Sequence, residues 1–189
     1  MALIAIIAWA GSKNIKIVIS VIIILLLIGY FDMWENTMKT ISITFVAALL
    51  AIVLGIPIGI LMAKSNTFQR IMNPVLDVMQ TMPSFVYLIP VVMLLGIGKI
   101  PGLIAVVIYS IPPMIRLTNL GIRLVNQAVI EAADSYGASN TQKLIYIQIP
   151  LALPTIMAGI NQTIMLALSM VVIASMIGVT GLGQPVLTA

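Results

Sequence analysis

Long apolar runs that carry almost no charge are the feature that most restricts how this chain folds. The sequence is 61% hydrophobic and only 7% charged, and its apolar runs cover residues 17–31, 40–63, 71–115 and 155–177. A helix rises about 1.5 Å per residue, so roughly 20 apolar residues are needed to cross a bilayer. The runs therefore predict an all-α, polytopic integral membrane protein, with one transmembrane domain over residues 1–189.

The third run is too long for one crossing and contains a break. The segment Gly-Lys-Ile-Pro-Gly at residues 98–102 divides it, because proline interrupts a helix and glycine relaxes the backbone. This predicts five full crossings from residue 17 onward. Residues 2–10 are too short to span, and we interpret them as the tail of an earlier helix or as an interfacial segment. We expect the chain to be clipped at one or both ends, because its last crossing has no returning partner.

The basic residues indicate an orientation. One side of the predicted crossings carries Lys13, Lys16, Lys64, Arg70, Arg116, Arg123 and Lys143, whereas the other carries only Lys39 and Lys99. Such a bias marks the cytoplasmic face. The basic residues are scattered singly between apolar runs, so they form no stripe that could follow a nucleic-acid backbone.

Several kinds of chemistry are excluded by composition. The chain has no His and no Cys and only five acidic residues, which excludes zinc sites, thiol nucleophiles and histidine acid–base catalysis. It also lacks the glycine-rich phosphate loop with its following lysine. We therefore predict no catalytic residue and no metal site, and we expect any ATP hydrolysis to occur on another subunit.

One polar insert lies between the last two long runs, on the side predicted to be cytoplasmic. This insert covers residues 128–150. The local sequence predicts two short helices: Gly137 ends the first, since glycine can adopt the left-handed conformation common at helix ends. Ser139 or Asn140 caps a second helix over residues 141–148, which Pro150 stops.

The spacing within this insert is specific. Glu131-Ala132-Ala133 is followed after three residues by Gly137, then after nine by Ile147, and Ile149-Pro150 closes the pattern. It resembles the EAA signature of permease subunits in ATP-binding cassette importers, and Ile149 in place of Leu is the only departure. The resemblance implies that this insert docks on a cytoplasmic ATPase, and we therefore call residues 128–150 the coupling segment. The docking residues that it implies are Glu131, Ala132, Ala133, Gly137, Ile147 and Pro150.

Other stretches narrow the resemblance to one branch of that family. LDVMQTMPSFVYLIP (76–90), IPPMIRLTNLGI (111–122) and GINQTIMLALSMVVIASMIG (159–178) are similar to permeases that import glycine betaine and related quaternary ammonium osmoprotectants. The resemblance implies a multi-pass protein of a prokaryotic cell membrane, with the coupling segment in the cytoplasm. It also implies three kinds of partner: an ATPase that holds ATP and Mg, a second permease subunit forming a homodimer, and an external or fused binding protein. No cofactor is expected in this chain.

Two groups of residues are candidates for the translocation path. Asn161, Met165 and Ser169 recur every fourth residue and so share one face of the last crossing; the alternative is that they only form hydrogen bonds between helices. Met82, Pro83, Phe85 and Tyr87 combine a proline break with aromatic groups, and broken membrane helices persist where they face protein or a water-filled cavity. This stretch is predicted to be a gate or pathway, the alternative being a kink that aids packing.

Two further features allow more than one interpretation. Asp77 and Arg116 could form an ion pair, but we expect them instead to extend separately to the membrane interface. Gly55 and Gly59 flank Pro57, and we expect a proline kink rather than a close-packing face there.

Other functions stay open at this point. The same kind of permease could import another small solute such as an amino acid. An ion-coupled secondary transporter is disfavoured, because such carriers place a charge at mid-membrane and every charge here lies in or near a predicted loop. An intramembrane enzyme is disfavoured because Asp77 is the only acid near a span.

Overall fold

The computed structural model describes residues 15–188, and this part of the chain is helical without a strand. Nine α-helices follow one another: α1 Ile15–Tyr30, α2 Trp34–Lys64, α3 Asn66–Thr81, α4 Leu88–Leu95, α5 Lys99–Arg123, α6 Gln127–Ser135, α7 Asn140–Lys143, α8 Ile149–Ala174 and α9 Gly183–Thr188. Two 3-10 turns cover Ser84–Tyr87 and Ser175–Ile177, and a π turn covers Leu144–Gln148. The predicted all-α class is confirmed.

Among the described residues, three helices are long and apolar enough to cross a membrane: Trp34–Lys64, Lys99–Arg123 and the continuous stretch Asn140–Ile177. A fourth span is possible only as a broken one, since α3 and the helix that follows it meet at 112°. The described part of α1 has 16 residues, fewer than a full crossing needs. The predicted break at residues 98–102 is present, because α4 ends at Leu95 and α5 begins at Lys99. The count of five crossings stays a prediction, and residues 2–10 lie outside the described residues.

The helix α5 lies between α2 and α8 and forms the centre of the bundle. Its small and branched residues Ala105, Val106 and Thr118 have no exposed surface. One cluster of the core joins α2, α5 and α8 through the alanines Ala47, Ala105, Ala167 and Ala174. Such small side chains let helices approach closely, which is how membrane helices gain packing energy.

Glycines on α2 face α5 at the closest approach. A Cβ at Gly55 would lie 2.8 Å from the Cβ of Met114, and one at Gly59 would lie 2.6 Å from the Cβ of Thr118. The two glycines therefore form a close-packing face, and α2 continues through Pro57 as one helix. Our expectation that the proline kink would outweigh this face was wrong, because the glycine spacing of one helical turn places both on the side that contacts α5.

The last long helix also differs from the prediction. Pro150 was expected to stop a short helix, but the helical chain runs on from Asn140 to Ile177. Proline is tolerated in the first turn of α8, where its lack of an N–H group is least costly. The π turn just before it leads into α8, since the Ile149 amide donates to the carbonyl of Leu144, five residues back. The coupling segment is therefore continuous with a membrane helix.

The basic residues separate between the two ends of the bundle. Lys39 and Lys99 line one cavity at the end where α2 and α5 begin. At the other end, the Arg123 guanidinium donates to the Asn66 side chain and to the Met62 carbonyl, each at 2.8 Å. For these three residues the separation is the one assigned from the sequence, and Lys13 lies outside the described residues. It also places the coupling segment, which follows Arg123, at the end opposite Lys39 and Lys99.

Candidate coupling segment and translocation surface

The first helix of the coupling segment is defined at both ends by local hydrogen bonds. At its start, the Asn126 side chain accepts from the Ala128 amide at 2.9 Å. At its end, Gly137 has φ +77°, and two backbone bonds close the turn: Gly137 N–H to the Asp134 carbonyl and Ala138 N–H to the Ala133 carbonyl. This pair of bonds is the Schellman arrangement, which requires a left-handed residue at Gly137. The predicted helix end is confirmed.

The second helix begins at a capping box. The Ser139 hydroxyl accepts from the Gln142 amide, and the Gln142 side chain accepts from the Ser139 amide at 2.8 Å. Of the two predicted caps, Ser139 is thus the one used. An ion pair between Lys143 and Asp134 joins the second helix to the first. The result is a tight helical hairpin fixed by short-range contacts.

The outer surface of this hairpin is unusually aromatic and open. Tyr136 is 93% exposed and Tyr146 is 75% exposed. Together with Gly137, Ala138, Gln142 and Ile147, they border a cavity of about 330 Å³. A Cβ at Gly137 would meet nothing within 4 Å, so within this chain the glycine is required by its backbone angle and not by crowding. Large exposed apolar groups of this kind mark interaction surfaces.

The six predicted docking residues lie together on this hairpin and the helix that leaves it, but not on one side. Glu131, Ala132 and Pro150 are exposed, whereas Ala133 is buried and Ile147 is half-buried. Leu144 anchors the segment, since it packs with Ile122, Ala152 and Ile156 of the bundle. Leu144 and the continuous α8 thus connect the hairpin to the bundle.

The predicted gate coincides with the 112° bend that follows α3. α3 ends at Thr81, Met82 and Pro83 adopt extended backbone angles, and the chain turns into the 3-10 turn that begins at Ser84. Phe85 is 52% exposed, whereas Tyr87 is buried. The Tyr87 hydroxyl donates to the Met79 carbonyl across the bend, and its ring contacts that of Tyr109 at 5.5 Å between centroids. Its place in the core gives Tyr87 a structural use, and its role in transport stays a prediction.

Asn161, Met165 and Ser169 lie on one exposed face of α8. Within residues 15–188 the Ser169 hydroxyl bonds only to the Met165 carbonyl of its own helix, at 3.1 Å. The bend packs on the other side of α8, where Tyr87 and Met82 meet Ala167 and Met170. The two predicted path groups are therefore not brought to one surface within this chain.

A polar groove that the sequence interpretation missed lies between α3, α5 and α8. It has a volume of about 330 Å³, and its polar lining comprises Asn73, Gln80, Arg116, Asn119 and Gln162. Arg116 and Asp77 form an ion pair beside it, so our expectation that they extend separately was wrong. The signal was present in the sequence, since Asn73, Asp77 and Gln80 recur at helical spacing on α3.

Known transport proteins match most of the chain. It is 53% identical over 94% of its length to the glycine betaine/carnitine transport permease protein GbuB of Listeria monocytogenes, of which it covers 64%. It is 52% identical over 97% of its length to the glycine betaine/proline betaine transport system permease protein ProW of Escherichia coli, of which it covers 51%. The chain thus spans between half and two thirds of the length of these relatives.

Solved structures show the same fold at lower identity. An inward-facing form of the MetNI methionine ABC transporter matches with a TM-score of 0.73 at 20% identity, covering 80% of this chain and 77% of that one. An amino acid ABC transporter with histidines matches with a TM-score of 0.70 at 24% identity, covering 85% of this chain and 79% of that one. The family model for binding-protein-dependent transport system inner membrane components covers residues 55–189. The chain belongs to this family of inner membrane transport components.

Proposed function

We propose that this chain is the membrane-spanning subunit of an ATP-driven importer and forms part of the path for glycine betaine or a related quaternary ammonium osmolyte. The substrate class is supported by the relatives, whose names give glycine betaine, carnitine and proline betaine as their cargo. The chain itself acts mechanically and not as an enzyme. The observation that carries the proposal is the exposed, locally fixed hairpin of the coupling segment, which is continuous with α8.

The hairpin is suited to receive force from an ATPase subunit. Its own hydrogen bonds hold its shape, so a partner can move it as a rigid piece. The exposed tyrosines at Tyr136 and Tyr146 offer large amphipathic contact area, which is common in protein interfaces. A narrow turn at Gly137 and Ala138 lets another backbone approach closely.

The proposed assembly has several further parts. A cytoplasmic ATPase holds ATP and Mg and binds the coupling segment, while a second copy of the permease completes the path as a homodimer. An external or fused binding protein delivers the solute. The orientation follows from the basic residues: Lys64 and Arg123 lie at the cytoplasmic end with the hairpin, and Lys39 and Lys99 lie outside. Closure of the ATPases would exchange inward and outward openings of the bundle.

The test compares Gly137→Trp with a matched change at the opposite end of the bundle. Gly96 also has φ +77°, and a Cβ added at either glycine would meet nothing within 4 Å, so both substitutions bring the same left-handed backbone strain and start from the same free space at Cβ. We expect both variants to insert in the membrane. Gly137→Trp should lose ATPase copurification and ATP-driven uptake in proteoliposomes, while Gly96→Trp keeps its ATPase. Unchanged transport by Gly137→Trp would refute the coupling role.

The substrate is tested separately in the wild-type assembly. Labelled glycine betaine should accumulate in an ATP-dependent manner, and unlabelled carnitine should compete more strongly than an amino acid such as histidine. If histidine competes and glycine betaine does not, the substrate assignment fails while the coupling role stands.

A further inference from the structure

The polar groove between α3, α5 and α8 carries a feature that helix packing does not explain. Arg116 and Asp77 bring a full positive and a full negative charge to its edge. Charged groups within membrane segments are costly and are kept where they serve a function. The pair is also accessible, since the side chains of Arg116 and Asp77 are 34% and 63% exposed.

The hydrogen bonding of Arg116 is incomplete. One terminal nitrogen of its guanidinium bonds to Asp77, but the Nε atom is buried and has no partner among the described residues. An arginine usually uses two nitrogens side by side to hold a carboxylate. The present pair therefore leaves donor capacity for another acceptor.

The rest of the lining combines carboxamides from three helices, Asn119 of α5 among them, with the apolar residues Pro113, Leu117 and Leu120. Asn73 and Gln80 project from α3 on the same face as Asp77, and Gln162 comes from α8. Carboxamides donate and accept hydrogen bonds without adding charge. By contrast, the cavity of about 320 Å³ between α2 and α8 is lined almost entirely by apolar groups such as Phe45 and Leu168. The polar groove is thus chemically distinct from a lipid-facing cleft.

We propose that this groove is a transient binding site for a zwitterionic solute, with Arg116 holding its carboxylate and Asp77 facing its quaternary ammonium group. The proposal rests on the transport function proposed above and assigns the residues that contact the cargo within the membrane. The solute replaces the ion pair charge for charge: its carboxylate takes the place of Asp77 on Arg116, and its cation takes the place of Arg116 beside Asp77.

This exchange has an energetic advantage. Removing one partner of the ion pair leaves a charge without its counter-charge, and the loss falls mainly on Arg116, the less exposed of the two side chains. A zwitterion separates the pair without creating such a charge, and the pair closes again when the solute leaves. A site of this kind binds weakly enough to release its cargo. Solutes with only one charge would leave either Asp77 or Arg116 unpaired.

The first test measures uptake by the complete importer in proteoliposomes. Asp77→Asn and Arg116→Gln should each lower the maximal rate of glycine betaine uptake by about tenfold or more, the loss expected for a charged hydrogen bond to substrate. The half-saturating concentration should stay constant, because the binding protein sets it. Arg70→Gln is the control: Arg70 is exposed on the same helix and makes no ion pair within residues 15–188.

The double variant Asp77→Asn/Arg116→Gln distinguishes solute binding by the ion pair from a purely structural role. If the pair only ties α3 to α5, removing both charges leaves none unpaired, so uptake should recover relative to the single variants. If the pair binds solute, the double variant should be as slow as the singles. Recovery of uptake would overturn the proposal.

A labelling experiment gives a second readout that does not depend on transport. The chain has no cysteine, so Gln162→Cys introduces a single thiol in the groove. Millimolar glycine betaine should slow its reaction with N-ethylmaleimide, and should not slow that of Ser42→Cys at the far end of the bundle. Equal labelling with and without glycine betaine would refute binding in the groove. If the wild type imports no glycine betaine at all, the transport function fails instead, and this proposal with it.

Discussion

The membrane bundle and the coupling segment are held together by different kinds of contact. In the bundle, α2, α5 and α8 meet through glycines and alanines that are fully buried, and Gly59 lies so close to α5 that even a methyl group would clash. In the coupling segment, only Ala133 and Leu144 are buried among residues 128–150, and a Schellman turn, a capping box and one ion pair fix the shape.

This difference shows how one chain can combine a tightly packed bundle with a hairpin whose shape does not depend on that packing. Close packing makes the bundle respond as discrete rigid pieces, because dense interiors resist gradual deformation. The hairpin keeps its shape through bonds between residues no more than nine positions apart, so it can be displaced without being unfolded. Changes to the bundle should therefore affect stability, whereas changes to the hairpin should affect coupling.

The largest expected effect is on the stability of the closely packed bundle. Gly59→Leu should destabilise the bundle by about 3 kcal/mol or more, since overpacking forces backbones apart and a Cβ here would lie 2.8 Å from the backbone oxygen of Ile115. Thermal unfolding of the purified assembly measures this. At the matched position Gly137 a Cβ has free space, so Gly137→Leu should bring only a left-handed strain of about 1–2 kcal/mol, confined to the hairpin, and leave the unfolding temperature of the bundle unchanged. Equal losses at the two glycines would contradict the comparison.

A smaller effect is expected at the bend, where a single side-chain bond acts inside the bundle. Tyr87→Phe removes the donor to the Met79 carbonyl but keeps the ring, and should cost about 1 kcal/mol. Hydrogen exchange of the amides around residues 82–87 should become faster. The control Tyr109→Phe keeps the ring contact at 5.5 Å and should leave this exchange unchanged. No difference between the two variants would show that the hydroxyl does not hold the bend.

The smallest effect should appear in the coupling segment. Ser139→Ala removes the cap and should weaken the start of α7 by about 1 kcal/mol, without a measurable change in the unfolding temperature of the bundle. Faster exchange of the Gln142 and Lys143 amides would report it. Ser135→Ala serves as control, because that hydroxyl bonds only within its own helix, to Glu131 at 3.0 Å. A fall in the unfolding temperature for Ser139→Ala would mean that the hairpin is part of the cooperative core.

The sequence interpretation succeeded where the cause is local. The break before Lys99, the left-handed Gly137 and the Ser139 cap each depend on residues within a few positions, and each is present. It failed at Pro150, where local rules favoured a stop. The π turn that carries the helix past this proline leads into α8, which is held by long-range packing, so tertiary contacts override the local tendency.

The candidate sites divide in the same way. The predicted docking residues from Glu131 to Pro150 lie close together along the chain, so spacing alone could predict that they share one segment. The polar groove could not, because Gln80, Arg116 and Gln162 come from three helices. Tyr87 was assigned to the path from composition, and only its neighbours reveal that it lies in the core.

By itself, the sequence determined that this is a helical membrane protein with a small-residue hairpin, because apolar length, charge bias and turn chemistry are properties of short segments. The tertiary structure alone decided which glycines touch α5, how α3 turns back at 112°, and that Asp77 meets Arg116. The physical reason is that helix pairing in a membrane depends on the fit of distant surfaces, and no single segment contains both sides of that fit.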